Sequence, residues 1–99
     1  MVKHIVVFKL KDELIDEKKM EVAMIFKQAI EALPEKIDFI RDIHVGINMN
    51  PNEKWEICLE STFDSLADVK AYSVHPEHIK AAQTIKEYKA DRACCDFEM

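Results

Sequence analysis

KHIVVFKL, residues 3–10, is rich in β-branched side chains and reads as a strand. Successive side chains of a strand point to opposite faces. His4, Val6, Phe8 and Leu10 therefore share one face, and Ile5 and Val7 share the other between Lys3 and Lys9. Both faces are apolar in the middle. Helices of the same chain can cover one of them, and the other needs cover from elsewhere.

The segments that follow say which elements do the covering. Residues 16–33 read as a helix, with Val22, Phe26, Ala29 and Leu33 at helical spacing and Ala23 and Ile30 beside them. Asp16 is the expected N-cap, and Ile15 and Met20 have the spacing of a hydrophobic staple. Pro34 ends the helix. Residues 37–49 read as a second strand, in which Gly46 predicts a bulge or a close backbone approach. NPNEK, residues 50–54, is a turn, and Trp55 to Phe63 is a third strand paired with the second as a hairpin. Asp64 caps a short helix, the chain breaks at SVHP, and a helix resumes from Glu77 to about Lys89. Pro76 suits the first helical position and His75 the N-cap. Residues 92–98 form a last strand.

The order is β-α-β-β-α-β, the ferredoxin-like arrangement of the α+β class. It builds a four-stranded antiparallel sheet with helices on one face, and it accounts for residues 1–99 as a single domain. The face carrying Ile5 and Val7 is left open. A second copy of the same sheet, related by a two-fold axis, is the simplest cover, so a homodimer is expected.

Composition narrows the function classes. The formal net charge is −5 and there is no cluster of lysine or arginine, so nucleic acid and anionic membranes are not expected partners. No run approaches the ~18 apolar residues of a membrane span, and the N-terminus lacks the apolar stretch of a signal peptide. A cytoplasmic location is expected. The three cysteines fit a reducing compartment and read as small buried hydrophobes, in the way Met20 and Met24 read as core filling. His75 and His78 have a spacing that can hold a metal, but no third ligand lies near in sequence, so neither metal nor cofactor is expected.

Several landmarks occur in order along the chain: VKHIVVFKLKDE at the start, a helix ending in LP, IRDIHVG, STFDS, AYSVHPEH and the closing CDFE. Together they resemble the stress-responsive dimeric α/β-barrel (Dabb) family. The resemblance implies two ferredoxin-like subunits whose sheets close into a barrel. The family includes stress-induced plant proteins and a plant polyketide cyclase that works without cofactor by an intramolecular aldol condensation. It implies that Tyr72 and His78 of YSVHPEH form a catalytic pair, that His4 lines the cavity, and that Asp96 is the matching last-strand aspartate. A further cavity histidine of the cyclase is replaced here by Ile57, so the resemblance does not extend to the cyclase's own substrate.

These residues suit one chemistry. A neutral histidine takes a proton from the carbon next to a carbonyl, and a tyrosine O–H donates to the developing enolate oxygen. At a helix start the macrodipole favours neutral His78, while Glu77 pulls the other way. Val6, Phe8, Phe26, Ile57, Leu59 and Asp96 are expected around the pocket, with a small apolar or aromatic carbonyl compound as ligand. The leading expectation is a cofactor-independent lyase or cyclase. A non-catalytic ligand-binding or stress-response protein is the first alternative, and a cofactor-free monooxygenase is the second. The same residues also suit a purely structural role, with Tyr72 and His4 as hydrogen-bonded core residues and His75 as a cap.

Overall fold

The computed structural model describes residues 1–99. Its elements are β1 (Val2–Leu10), α1 (Asp16–Glu31), β2 (Asp42–Ile47), β3 (Ile57–Phe63), α2 (Leu66–Ser73), α3 (Pro76–Lys86) and β4 (Lys89–Glu98). The four strands form one antiparallel sheet in the order β2-β3-β1-β4. This is the expected ferredoxin-like topology. No helix is long and apolar enough to cross a membrane.

Alternation in β1 sets the two faces. Val2, His4, Val6, Phe8 and Leu10 are buried, and the residues between them are half-buried. α1 supplies Val22, Ala23, Phe26 and Ile30 to the same core, with Phe8 and Phe26 meeting edge to face at 5.3 Å between centroids. The core continues through Ile43 and Val45 of β2, Ile57, Leu59 and Phe63 of β3, Val69 and Tyr72 of α2, and Ala81 and Ile85 of α3. Burial of these side chains, at roughly 1.5–3 kcal/mol each, is the main force holding helices to sheet. The exposed edge of β2 is secured by α1. Lys27 Nζ donates to the Val45 carbonyl at 2.6 Å, and Glu31 accepts from the Val45 N–H at 3.0 Å. These contacts occupy backbone groups that an edge strand otherwise leaves open.

Several local expectations are corrected. Ile15, not Asp16, is the N-cap of α1, and no side chain caps it. Ile15 and Met20 are both exposed, so there is no staple, and Leu14 makes the apolar contact instead. Met20 and Met24 lie off the Val22–Phe26–Ile30 stripe and are exposed rather than core. α1 stops at Glu31, and Leu33–Glu35 make a 3₁₀ turn that buries Leu33. β2 begins at Asp42, because Ile37 and Ile40 enter the core from an irregular lead-in. Trp55 precedes β3 and is half-buried, with Lys54 Nζ 4.7 Å above its ring. Ser65 caps α2, its Oγ accepting from the Asp68 N–H. Gly46 makes neither bulge nor close approach. It pairs in regular register with Cys58, and an added Cβ would lie 3.9 Å from the nearest carbonyl.

The cysteines also depart from expectation, since all three are exposed in the single chain. Cys58 and Cys95 belong to the face away from the helices, beside Val7 and Ile5 respectively. Cys94 points the other way, but β4 is exposed along nearly its whole length. The last helix ends at Lys86 and β4 starts at Lys89, earlier than the sequence suggests.

Candidate active site

The break between α2 and α3 brings Tyr72 and His78 together. α2 ends at Ser73, and His75 turns extended as the N-cap of α3, its Nδ1 accepting from the Glu77 N–H at 3.1 Å. Pro76 at the first helical position lacks the N–H that would need a partner there. The chain bends without losing backbone satisfaction: the His75 N–H donates to the Tyr72 carbonyl at 3.1 Å. The Tyr72 and His78 rings end 4.3 Å apart between centroids, and His4 reaches the other side of Tyr72 at 6.1 Å.

His78 Nδ1 lies 3.1 Å from the Ser73 carbonyl. A carbonyl only accepts, so Nδ1 carries the hydrogen and Nε2 keeps its lone pair. Burial pushes the His78 pKa below the usual histidine value, the Ser73 bond opposes it, and the nearby charges of His4, Arg92 and His75 lower it further. The neutral ring is thus favoured near pH 7. Glu77, adjacent in sequence, is turned outward to Lys36 and Lys80 and does not oppose this.

Tyr72 is 1% exposed, and its hydroxyl has no hydrogen-bond partner. Burial raises its pKa strongly, so the hydroxyl keeps its proton. An orphaned buried hydroxyl costs roughly 1–3 kcal/mol, so a ligand oxygen beside it would relieve a deficit already present. His4 is buried on the apolar face of β1 and its Nδ1 bonds to Asp96 on β4, its neighbour in the ladder. A proton on Nδ1 leaves Nε2 as an acceptor. Ser61, opposite His4 on β3, donates to the His4 carbonyl at 3.3 Å.

These side chains surround a cavity of about 150 Å³. His4, Val6, Phe8, Phe26, Leu59, Tyr72 and His78 all line it. Asp96 stands outside the lining and meets it through His4. Ile57 lies elsewhere, in a recess with Leu10, Ala23 and Glu56 near the start of α1. The sequence reading missed Lys89 and Arg92, which line the cavity from β4. Even spacing with Asp96 on the last strand was a signal for Arg92. Lys89 gave none, because it lay within the expected helix. Cys94 Sγ lies 3.7 Å from His4 Nδ1, and with Asp96 these groups could approach one ion. The carboxylate already occupies Nδ1, and burial raises the Cys94 pKa, which disfavours the thiolate a metal needs.

A ferredoxin-like subunit with a histidine- and tyrosine-lined cavity between sheet and helices defines a class of small α/β-barrel protomers. The chain belongs to the stress responsive A/B barrel domain family, whose model matches residues 2–99. Among curated proteins it is similar to olivetolic acid cyclase from Cannabis sativa, 28% identical over 81 residues, which is 79% of this chain and 76% of the cyclase. Among solved structures it is similar to a dimeric ferredoxin-like protein of unknown function from Bacteroides fragilis, with 56% identity and a TM-score of 0.97 over 99% of this chain and 95% of that one. A hydroxynitrile lyase from Passiflora edulis shares the fold at 17% identity and a TM-score of 0.73, over 99% of this chain and 92% of that one. Proteins of this fold thus serve more than one chemistry on one scaffold.

Proposed function

We propose that this protein is a cofactor-independent lyase or cyclase that makes an enolate in the cavity and uses it in carbon–carbon bond chemistry. The observation that carries the reading is the unpartnered, buried Tyr72 hydroxyl beside neutral His78. His78 Nε2 removes a proton from the carbon next to the substrate carbonyl. The electron pair moves onto the carbonyl oxygen, where the Tyr72 O–H donates to it. The enolate carbon then attacks a second carbonyl carbon, and the proton on His78 passes to the new alkoxide. Run in reverse, the same steps cleave the bond. His4, held in one tautomer by Asp96, is placed to orient the second carbonyl.

Similarity to the cyclase supports an aldol-type reaction, and replacement by Ile57 argues against the same substrate. The working unit on this reading is a homodimer. Ile5, Val7, Ala93 and Cys95 leave an apolar strip on the helix-free face, and the Bacteroides fragilis relative is described as dimeric. Sedimentation at micromolar concentration should give twice the 11.5 kDa chain mass.

The catalytic reading is tested by deuterium exchange. An aryl ketone with exchangeable protons, incubated with the protein in D₂O, should lose its α-proton signal faster than with free imidazole at equal concentration. His78→Gln and Tyr72→Phe should each remove the acceleration. No acceleration across a panel of aryl and alkyl ketones would overturn the catalytic reading.

A further inference from the structure

The cavity's rim on β4 is cationic although the chain is acidic. In the β1–β4 ladder Phe8 faces Arg92 and Lys9 faces Asp91, but Leu10 faces Lys89. Ala90 is therefore an extra residue, a β-bulge. Without it, Ala90 would oppose Leu10 and Lys89 would point to the helix-free face. With it, Lys89 and Arg92, three apart in sequence, both turn to the helix side. Bulges commonly re-aim side chains beside active sites.

Neither cation makes an ion pair or a side-chain hydrogen bond to a carboxylate, and the Cys94 thiol is an internal neighbour of Arg92. No Asp or Glu lines the cavity. The groove that continues outward past His78 and Ala82 adds Lys86 and again no acid. In a chain with 19 acidic and 14 basic residues, an acid-free cavity wall with two unpaired cations is a local inversion of charge. Behind them the wall is largely apolar, broken by His4 and His78, and it includes Tyr72, whose buried hydroxyl is unpartnered.

We infer that the ligand is a carbonyl compound bearing a carboxylate, its acid group held at the rim by Arg92 and Lys89 and its carbonyl at Tyr72. This rests on the enolate reading above and adds the substrate's charge. The guanidinium fork matches a carboxylate through two parallel N–H donors, and Lys89 adds a point charge. Anchoring a remote acid group also fixes the carbonyl against His78, which converts binding into orientation.

The test compares 4-oxo-4-phenylbutanoate with its neutral amide, followed by histidine ring NMR signals in the wild type and in the Lys89→Gln/Arg92→Gln double variant. The acid should bind about tenfold more tightly than the amide or better, and more weakly as salt is raised. The double variant should keep its unfolding temperature and lose the preference for the acid, binding the two compounds alike. Equal binding of the two compounds by the wild type, or a preference surviving in the double variant, overturns the anion inference and leaves the cavity reading standing. If neither compound moves the His4 or His78 signals, both readings fail.

Discussion

β3 and β4 flank the same strand, yet they sit at opposite extremes of burial. On its helix-facing side β3 carries Ile57, Leu59, Ser61 and Phe63, all buried. The same side of β4 carries Arg92, Cys94 and Asp96, and β4 is exposed along nearly its whole length. β1 lies between, and its single buried histidine faces Ser61 on one side and Asp96 on the other. Stability is thus concentrated on the β3 side and titratable chemistry on the β4 side. The helices cover the first and stop short of the second, which is why a cavity opens there.

The largest effect that would separate the two sides is Phe63→Ala. Phe63 is fully buried and its ring lies 5.1 Å from Tyr72. Its truncation should cost about 3–5 kcal/mol in urea unfolding. Cys94→Ala across the sheet should stay within about 0.5 kcal/mol. Comparable costs would mean that β4 carries core stability after all. Next in size is His78→Gln, which should reduce α-proton exchange by about 10²–10⁴-fold. Its urea midpoint at neutral pH should scarcely move.

This asymmetry also explains what could be read in advance. The fold was legible because β1, α1 and β3 have clean periodicities that agree with the observed burial. The helix restart between Tyr72 and His78 was legible because proline and a capping histidine mark it, whereas the pairing of the two residues came from the family resemblance. Lys89 was hidden because it lay within the expected helix, and the bulge at Ala90 breaks the two-residue period that would have extended the strand back to it. The cysteines and methionines were misplaced for a related reason. Composition says such residues tend to be buried, but it does not say where the helices end or what covers the open sheet face. Ile57 shares a face with Leu59, yet the cavity spans only part of that face.

Tyr72→Phe sharpens the comparison by a sign. Removing a buried hydroxyl that satisfies nothing should leave stability unchanged or raise it by about 1 kcal/mol, while exchange falls. A loss of stability would mean the hydroxyl is bonded in solution, and the site would lose its donor. Acid should act through His78. Its folded pKa lies below the usual value, so the unfolded chain binds the proton more readily. The stability this contributes is complete above about pH 6.5 and is lost as the pH falls through that value toward the folded pKa. Unfolding free energies from about pH 7.5 to 5 should therefore fall less steeply in His78→Gln than in the wild type.

The smallest effect tests whether two histidines three residues apart do different work. His75 spends its Nδ1 lone pair on the Glu77 N–H, whereas His78 spends its Nδ1 hydrogen on the Ser73 carbonyl. One ring therefore accepts within the backbone turn, and the other keeps a free acceptor for the cavity. His75→Ala should cost about 1 kcal/mol, the usual worth of a helix cap, and His75→Asn should restore most of it because asparagine caps well. Ligand-dependent exchange should be intact in His75→Asn. If it were lost there as completely as in His78→Gln, the division between a capping and a proton-accepting histidine would fail. The turn would then have to be treated as a single catalytic unit in which the cap itself carries protons.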